Sequence, residues 1–386
     1  MHPQMQTLRC SIVRGGTSKG IFIRRNELPS DPALRDRVIL AIYGSPDIRQ
    51  IDGLGGADVL TSKLAIIGPP TRPGADVDYT FAQVSFETDL VDYSGNCGNI
   101  SAGVGPYAID EGLVNPVEPI TAVRIHLTNS GQILTAEVPV KDGKAQVCGD
   151  YAIDGVPGTG ARITMDWSNV VGTVSQGRLL PTGKPKDIIE VKGRGYEVSL
   201  VDAGNPLVFI RAADLGLVGT ESALAIEGNP AVMALVEKIR GRAAVIFGLV
   251  DDPDQAARLT PYSPFFALVS PPADYVGLSG RAVKAAEIDL VSRLSFMLKM
   301  HKTYPITGTV CTGAAARIPG TVVWDMLKDK NSLARDLKIG HPGGIVTVEA
   351  VAENEGEQVR LKKIGVYRTA RKIMDGLVYV KNDIFE

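Results

Sequence analysis

Apolar positions along the chain fall into short runs separated by Gly- and Pro-rich turns, a pattern of strands with occasional helices. Leu8–Val13 and Gly20–Arg24 read as strands around the polar loop Arg14-Gly-Gly-Thr-Ser-Lys-Gly20. Asp31–Tyr43 reads as a helix, with Ser30 or Asp31 as cap and Pro32 in its first turn. Leu64–Ile67 and Asp78–Phe86 read as strands, and a helix is expected from about Asn99. Alternating strands follow at Ala122–Asn129, Gln132–Val140 and Lys144–Asp150. Thr159–Pro185, rich in Gly, Thr and Pro, is the expected crossing between two domains, 1–185 and 186–386, with the last strands free to return to the first.

The second half predicts strands at Ile188–Val191 and Glu197–Ala203, a helix over Ala231–Arg242 and a strand at Phe265–Val269. Glu287–Met300 reads as a helix ending at His301, Thr303–Val310 as a strand, and a further helix starts near Ala314. Strands at Gly344–Glu353 and Gln358–Val366 precede a final pair, Thr369–Met374 and Leu377–Lys381. The whole is a mixed α/β chain. Two stretches repeat at a distance. Val13–Ile23 parallels Val201–Ile210, strand, Gly turn, strand; Gly95–Ala102 parallels Val310–Ala316, each a cysteine before a run of small residues. Two such halves would face two helix N-termini across a cleft, which suits a small dianion such as a dicarboxylate.

The chemistry concentrates in Tyr93-Ser-Gly-Asn-Cys-Gly-Asn99 and the helix after it. A thiol at a helix mouth feels the partial positive charge of unpaired backbone N–H groups, which favours the reactive thiolate. The same mouth binds a carboxylate. Read as plain structure, Cys97 would be a small core residue beside a turn, as free cysteines usually are.

Composition narrows the field. The chain has 386 residues and a formal net charge of −2, which suits two domains and leaves no electrostatic footprint for nucleic acid. Four scattered cysteines make neither a disulfide framework nor a zinc cluster, and no apolar run reaches membrane-spanning length. No basic and apolar leader opens the chain, so a reducing cytoplasm is the expected compartment. Gly15–Gly20 lacks Walker spacing and no ligand set has metal spacing, so neither cofactor nor metal is expected.

Arg14–Gly20, Gly55-Gly-Ala-Asp-Val-Leu-Thr-Ser-Lys63, Gly95–Asn99 and Ala315-Ala-Arg-Ile-Pro-Gly320 together resemble the PrpF family, over about Leu8–Val380. Asp52–Asp58, Cys97–Asp110 and His301-Lys-Thr-Tyr304 are most similar to its 3-methylitaconate Δ-isomerase branch. The resemblance implies a diaminopimelate epimerase-like fold of two pseudo-equivalent domains, each a barrel-like sheet around a central helix, with a site in the cleft. It implies a cofactor-free 1,3-proton shift in a small unsaturated di- or tricarboxylate, 3-methylitaconate to 2,3-dimethylmaleate first among them. Methylaconitate, aconitate and 4-oxalomesaconate are the other acids of the family. A homodimer or homotetramer is the implied assembly.

By the same resemblance Lys63 and Cys97 are the catalytic pair, and Ser18 and His301 line the pocket. Asn96, Gly98, Asn99, Thr312 and Gly313 flank the two cysteine turns and are expected to contact substrate. Epimerases of this fold use a second cysteine in Cys-Gly-Thr-Gly; here Cys311-Thr-Gly is one residue shorter, which puts a two-thiol mechanism in doubt. Read alone, Lys63 passes for a solvated lysine, Ser18 for turn chemistry and His301 for a helix cap. Arg14, Lys19 and Arg317 are further carboxylate binders to consider, Cys10 and Cys148 read as core, and His126 and His341 show no partner. Two other classes stay open: an amino-acid racemase or epimerase with Cys97 and Cys311 as opposed bases, and a non-catalytic dicarboxylate-binding protein.

Overall fold

β1 (Met5–Gly15) and β2 (Ser18–Arg24) form an antiparallel hairpin whose turn is the Arg14–Gly20 loop. The computed structural model describes residues 3–330, 336–355 and 358–386. It divides into one unit of Met1–Met165 with Arg368–Glu386 and another of Asp166–Tyr367. In the first unit, α1 (Pro32–Tyr43) connects β2 to β3 (Lys63–Gly68), which lies parallel to it. The Asp31 carboxylate caps α1 through the Leu34 N–H at 2.8 Å, and Gly44 closes it in the left-handed region at φ 70°. β4 (Val77–Val84) runs antiparallel to β3, and β5 (Val91–Asp92) pairs with its end. Then comes α2 (Gly98–Asp110), followed by β6 (Ile120–Leu127), parallel to β4, and β7 (Gln132–Lys141), antiparallel to β6. The C-terminal strand, Ala370–Lys381, pairs along the whole of β1.

α2 is buried from Gly98 to Ile109 except at Pro106, and it touches β1 to β4, β6 and β7. A helix apolar on all sides must be enclosed, so the sheet curls around it. The enclosing strands β3 and β4 are themselves almost wholly buried, with no polar face to mark an outside.

The second unit repeats this order. Arg194–Ala203 and Asn205–Arg211 form a hairpin, helix Pro230–Ile246 follows, and Phe265–Ser270 returns parallel to the hairpin's second strand. Leu290–Phe296 runs antiparallel to Phe265–Ser270, helix Ile306–Ala315 is wholly buried, and Asp336–His341 comes back parallel to Leu290–Phe296. Gly344–Glu355 and Gln358–Arg368 finish the unit with antiparallel pairings. The repeat is therefore real as topology: antiparallel, parallel, antiparallel, parallel, antiparallel, around one central helix in each unit.

Four expectations need correction. Glu287–Met300 is a 3₁₀ turn at Ala285–Glu287 and the strand Leu290–Phe296, not a helix. All seven residues of that strand are buried, and a run buried on both faces carries no alternation to separate it from a buried helix. Thr303–Val310 is not a strand, because the central helix begins at Ile306 with Pro305 as its N-cap. Lys144–Asp150 is a strand only at Lys144–Ala145. The final pair is one strand, Ala370–Lys381, since partner β1 runs the full length beside it.

Candidate active site

The β3–β4 register sets Lys63 opposite Gln83, and both side chains are buried. Lys63 Nζ donates to Gln83 Oε1 at 2.7 Å and lies 5.5 Å from the centre of the Phe81 ring. The Tyr43 hydroxyl donates to the Lys63 carbonyl and fixes the start of β3. Burial disfavours the ammonium and pushes the Lys63 pKa below the ordinary lysine value. The Cys97 side chain opposes that fall, through its charge and through a hydrogen bond, and the charge of Asp58 opposes it as well. Lys63 and Cys97 thus meet side chain to side chain.

Cys97 is the N-cap of α2, with extended backbone at φ −115° and ψ 100°. Its sulfur does not cap the helix; its carbonyl starts it, accepting from the Ser101 N–H and the Ser101 hydroxyl, each at 2.8 Å. The Tyr79 hydroxyl donates to the same carbonyl at 3.4 Å. Burial, then the charge of Cys97, holds the Tyr79 phenol well above its usual pKa, so it stays a neutral donor. The thiol therefore sits at the N-terminus of a buried helix with a lysine beside it.

The Arg14–Gly20 turn is tied to the first turn of α2. Asn99 Nδ2 donates to Thr17 Oγ1 at 3.1 Å, and the Thr17 N–H donates to Asn99 Oδ1 at 3.3 Å. A Cβ on Gly15 would collide with the Asn99 carbonyl, and Gly16 sits at φ 51° with no room beside the Asn99 amide. Two glycines are the condition for this close approach. Arg14 braces the turn from behind, donating to the Gly16 and Thr369 carbonyls at 3.0 and 2.9 Å. At the turn's far end Ser18 is 3% exposed, and its hydroxyl has no hydrogen-bond partner among the described residues. A buried polar atom in that state costs stability unless a ligand meets it.

The remaining sequence candidates divide. Asn96 is buried beside Cys97 and donates to Ser130 Oγ at 3.1 Å; Gly98 is the first residue of α2. Lys19 is half-buried, its N–H held by the Leu60 carbonyl. His301, Thr312, Gly313, Cys311 and Arg317 belong to the second unit. His301 follows a strand, Lys299–Met300, and not a helix end, so no helix dipole acts on it there. Its Nδ1 accepts the Thr303 N–H at 3.0 Å, which places the proton of the neutral ring on Nε2. Thr312 hydrogen-bonds the Gly308 carbonyl at 2.7 Å inside the central helix, Gly313 packs on Val348, and Arg317 Nε donates to the Ala350 carbonyl at 2.8 Å.

Cys311 is not a second Cys97. It lies within the helix, donates its thiol proton to the Val201 carbonyl at 3.3 Å, and burial raises its pKa well above the usual thiol value. The true counterpart of the Cys97 position is Pro305. The second-unit turn at Gly204 packs on Thr307, and Asn205 Nδ2 donates to Thr307 Oγ1 at 3.0 Å, as the first-unit turn packs on Asn99. Cys311→Ser is accordingly expected to keep most of the turnover and to lose about 1 kcal/mol of stability, checked by rate assay and thermal unfolding. Other expectations also change: Cys148 is exposed, His126 pairs with Asp78 at 2.8 Å, and His341 Nδ1 accepts the Gly343 N–H at 3.1 Å. Cys10 is buried core. Gln83, Phe81 and Tyr79 carried no signal in the sequence, because only the strand register and the folding of α2 against β4 bring them to the pair.

The family model described as PrpF protein matches residues 5–381. The chain belongs to the PrpF family. It is 51% identical over 382 residues to 3-methylitaconate isomerase of Eubacterium barkeri, covering 99% of both chains. It is 40% identical to 4-oxalomesaconate tautomerase of Pseudomonas putida, covering 97% of this chain and 96% of that one. Among solved structures, a methylitaconate-delta-isomerase superposes with a TM-score of 0.80 at 50% identity, over 99% of this chain and 98% of that one. A hydroxyproline epimerase from Agrobacterium vitis superposes at 0.58 with 12% identity, covering 98% and 93%, and fixes the fold alone. The PrpF chain thus has the diaminopimelate epimerase-like fold that its motifs imply. No helix among its described residues is long and apolar enough to cross a membrane.

Proposed function

We propose that the chain is an isomerase that moves a double bond in a small unsaturated dicarboxylate by a 1,3-proton shift, with 3-methylitaconate as substrate and 2,3-dimethylmaleate as product. The observation that carries the reading is the Lys63–Cys97 side-chain pair at the N-terminus of the buried helix α2. Half-identity over the whole length to a protein named 3-methylitaconate isomerase supports the choice of acid. Cys97 thiolate takes the proton from the carbon α to one carboxylate. The negative charge spreads through the allylic system onto that carboxylate, where the Lys63 ammonium meets it. Cys97, now a thiol, delivers the proton to the methylene carbon, the double bond moves inward, and the thiolate is restored. Donors set in advance where charge develops are usually the largest catalytic contribution. The first-turn N–H groups of α2 and the Ser18 hydroxyl supply such donors for a carboxylate.

Relatives are named for acids that differ from one another by a methyl or a carboxylate, so a panel of these acids tests the choice. Methylitaconate, methylaconitate, aconitate and oxalomesaconate are each followed by ultraviolet absorbance at equal enzyme concentration. The expected result is the highest kcat/KM on 3-methylitaconate. Faster turnover of oxalomesaconate would move the chain to the tautomerase reading; conversion of none, with binding intact, would favour the non-catalytic one.

A further inference from the structure

We infer that Gln83 is a positioning residue for Lys63, holding its ammonium charged and turned toward the Cys97 thiol; this rests on the catalytic reading of Lys63. Gln83 is fully buried and directly opposite Lys63 in the β3–β4 ladder. Its Nε2 donates to the Ser62 carbonyl at 2.9 Å and to the Val59 carbonyl at 3.2 Å, which uses both amide protons. Only the oxygen is left to face Lys63, and it does so at 2.7 Å. Flipping the amide would set N–H against ammonium and oxygen against two carbonyls, so the orientation has a single solution.

The same bonds anchor Val59 and Ser62, the end of the loop that delivers Lys63 to β3. Ser62 is held a second time, its hydroxyl donating to Gln50 Oε1 at 2.7 Å. Gln83 is neutral, and that is the useful property. A carboxylate in its place would pair with the ammonium and take up the field that the substrate's developing charge needs. An amide oxygen supports the cation without cancelling it. Burial works against the charged form of Lys63, so each such support raises the pH at which the proton is lost.

The test is the pH dependence of kcat/KM for the wild type, Gln83→Met and Gln83→Glu, with Lys63→Ala assayed alongside. Methionine keeps the length and removes the acceptor; glutamate keeps the acceptor and adds charge. The alkaline limb is expected from loss of the Lys63 proton, and Gln83 acts on that group. The limb is expected to move acidward by about one pH unit in Gln83→Met and alkaline by a similar amount in Gln83→Glu, since one unit corresponds to a single charge-assisted hydrogen bond. A residue that only stiffened the loop would lower rate or stability and leave the limb in place. Limbs coincident with wild type in both variants, with Lys63→Ala inactive, overturn this inference and leave the catalytic pair standing. A Lys63→Ala protein that turns over normally removes the lysine reading and this inference with it. Should Gln83→Met fail to fold, the limb of Gln83→Glu decides alone: an alkaline shift supports the assignment, and no shift overturns it.

Discussion

Cys97→Ser is expected to be inactive, with turnover reduced by about 10³-fold or more, the upper range for losing a general acid–base group. The substitution changes one atom at the N-cap of α2 and leaves its carbonyl, which carries the helix-starting bonds from Ser101, in place. Serine is a good N-cap residue, so the fold is expected to stand or gain slightly. What is lost is acidity: a hydroxyl at this site does not ionise near neutral pH, helix mouth and lysine notwithstanding, and a neutral hydroxyl is too weak a base for a carbon acid. Circular dichroism with wild-type shape and a rate at background would establish the separation of fold and chemistry. Retention of more than about a tenth of the rate would remove Cys97 as the base, since such a group contributes at least 10²-fold. Cys311→Ser is the internal control, a thiol buried in a helix and bonded to a carbonyl.

Lys63→Ala is expected to lower kcat by about 10² to 10³, the usual loss for one preorganised donor at a site of developing charge. KM should change less, because charge accumulates on the substrate carboxylate in the transition state more than in the bound acid. The variant also removes the partner of Gln83 and the cation over Phe81, so some loss of stability accompanies it. Lys63→Arg is expected not to rescue: a planar guanidinium needs more room than the buried slot between Gln83 and Phe81 offers. In the wild type, activity should fall as pH rises through the lysine's pKa, which lies below the ordinary lysine range, because the charged form is the one that works. Equal kcat in Lys63→Ala and wild type would take Lys63 out of the reaction.

The first unit was legible where its chemistry left a local mark. Gly-Asn-Cys-Gly-Asn announces a tight turn before a helix, and Cys97 is found at that helix mouth. Asp31-Pro32 and Gly44 mark both ends of α1. Arg14-Gly-Gly-Thr names a turn whose glycines are required by contact with Asn99. The second unit was harder to read for one physical reason. Its central helix, Ile306–Ala315, is buried on every side and runs through Ile, Thr, Gly, Val and Cys with alanine only at its last two positions, so it shows no amphipathic period and few strong helix formers. Its true start is Pro305, a residue that supplies no side-chain cap. The eye passes to Cys311 and makes of it a false counterpart to Cys97. Leu290–Phe296 misleads in the opposite sense, since Leu290, Val291 and Leu294 match a helical spacing while all seven residues lie buried in a strand.

Gln83 was illegible for a different cause. A glutamine in a buried strand carries no chemical signature of its own. Its meaning comes from being opposite Lys63 and from two loop carbonyls that consume its N–H groups, and both are tertiary facts. Tyr79 and Phe81, on the same strand, are of the same kind. The proposed catalytic residues, Cys97 and Lys63, sit in motifs; the residues that hold them sit in ladders, where only register reveals them.

The account rests on one thiol that takes a proton and gives it back on the same face of the substrate. Its most direct test uses 3-methylitaconate carrying deuterium at the carbon α to the carboxylate and next to the methyl group, turned over by the wild type in ordinary water. One base holding one proton, shielded by the burial of Cys97, returns the label to the methylene carbon. The account predicts dimethylmaleate with a measurable share of deuterium in its new methyl group, read by nuclear magnetic resonance from the first turnovers, and none of that product from Cys97→Ser. A new methyl group holding only solvent hydrogen from the outset would contradict it, because the proton taken would then not be the proton returned.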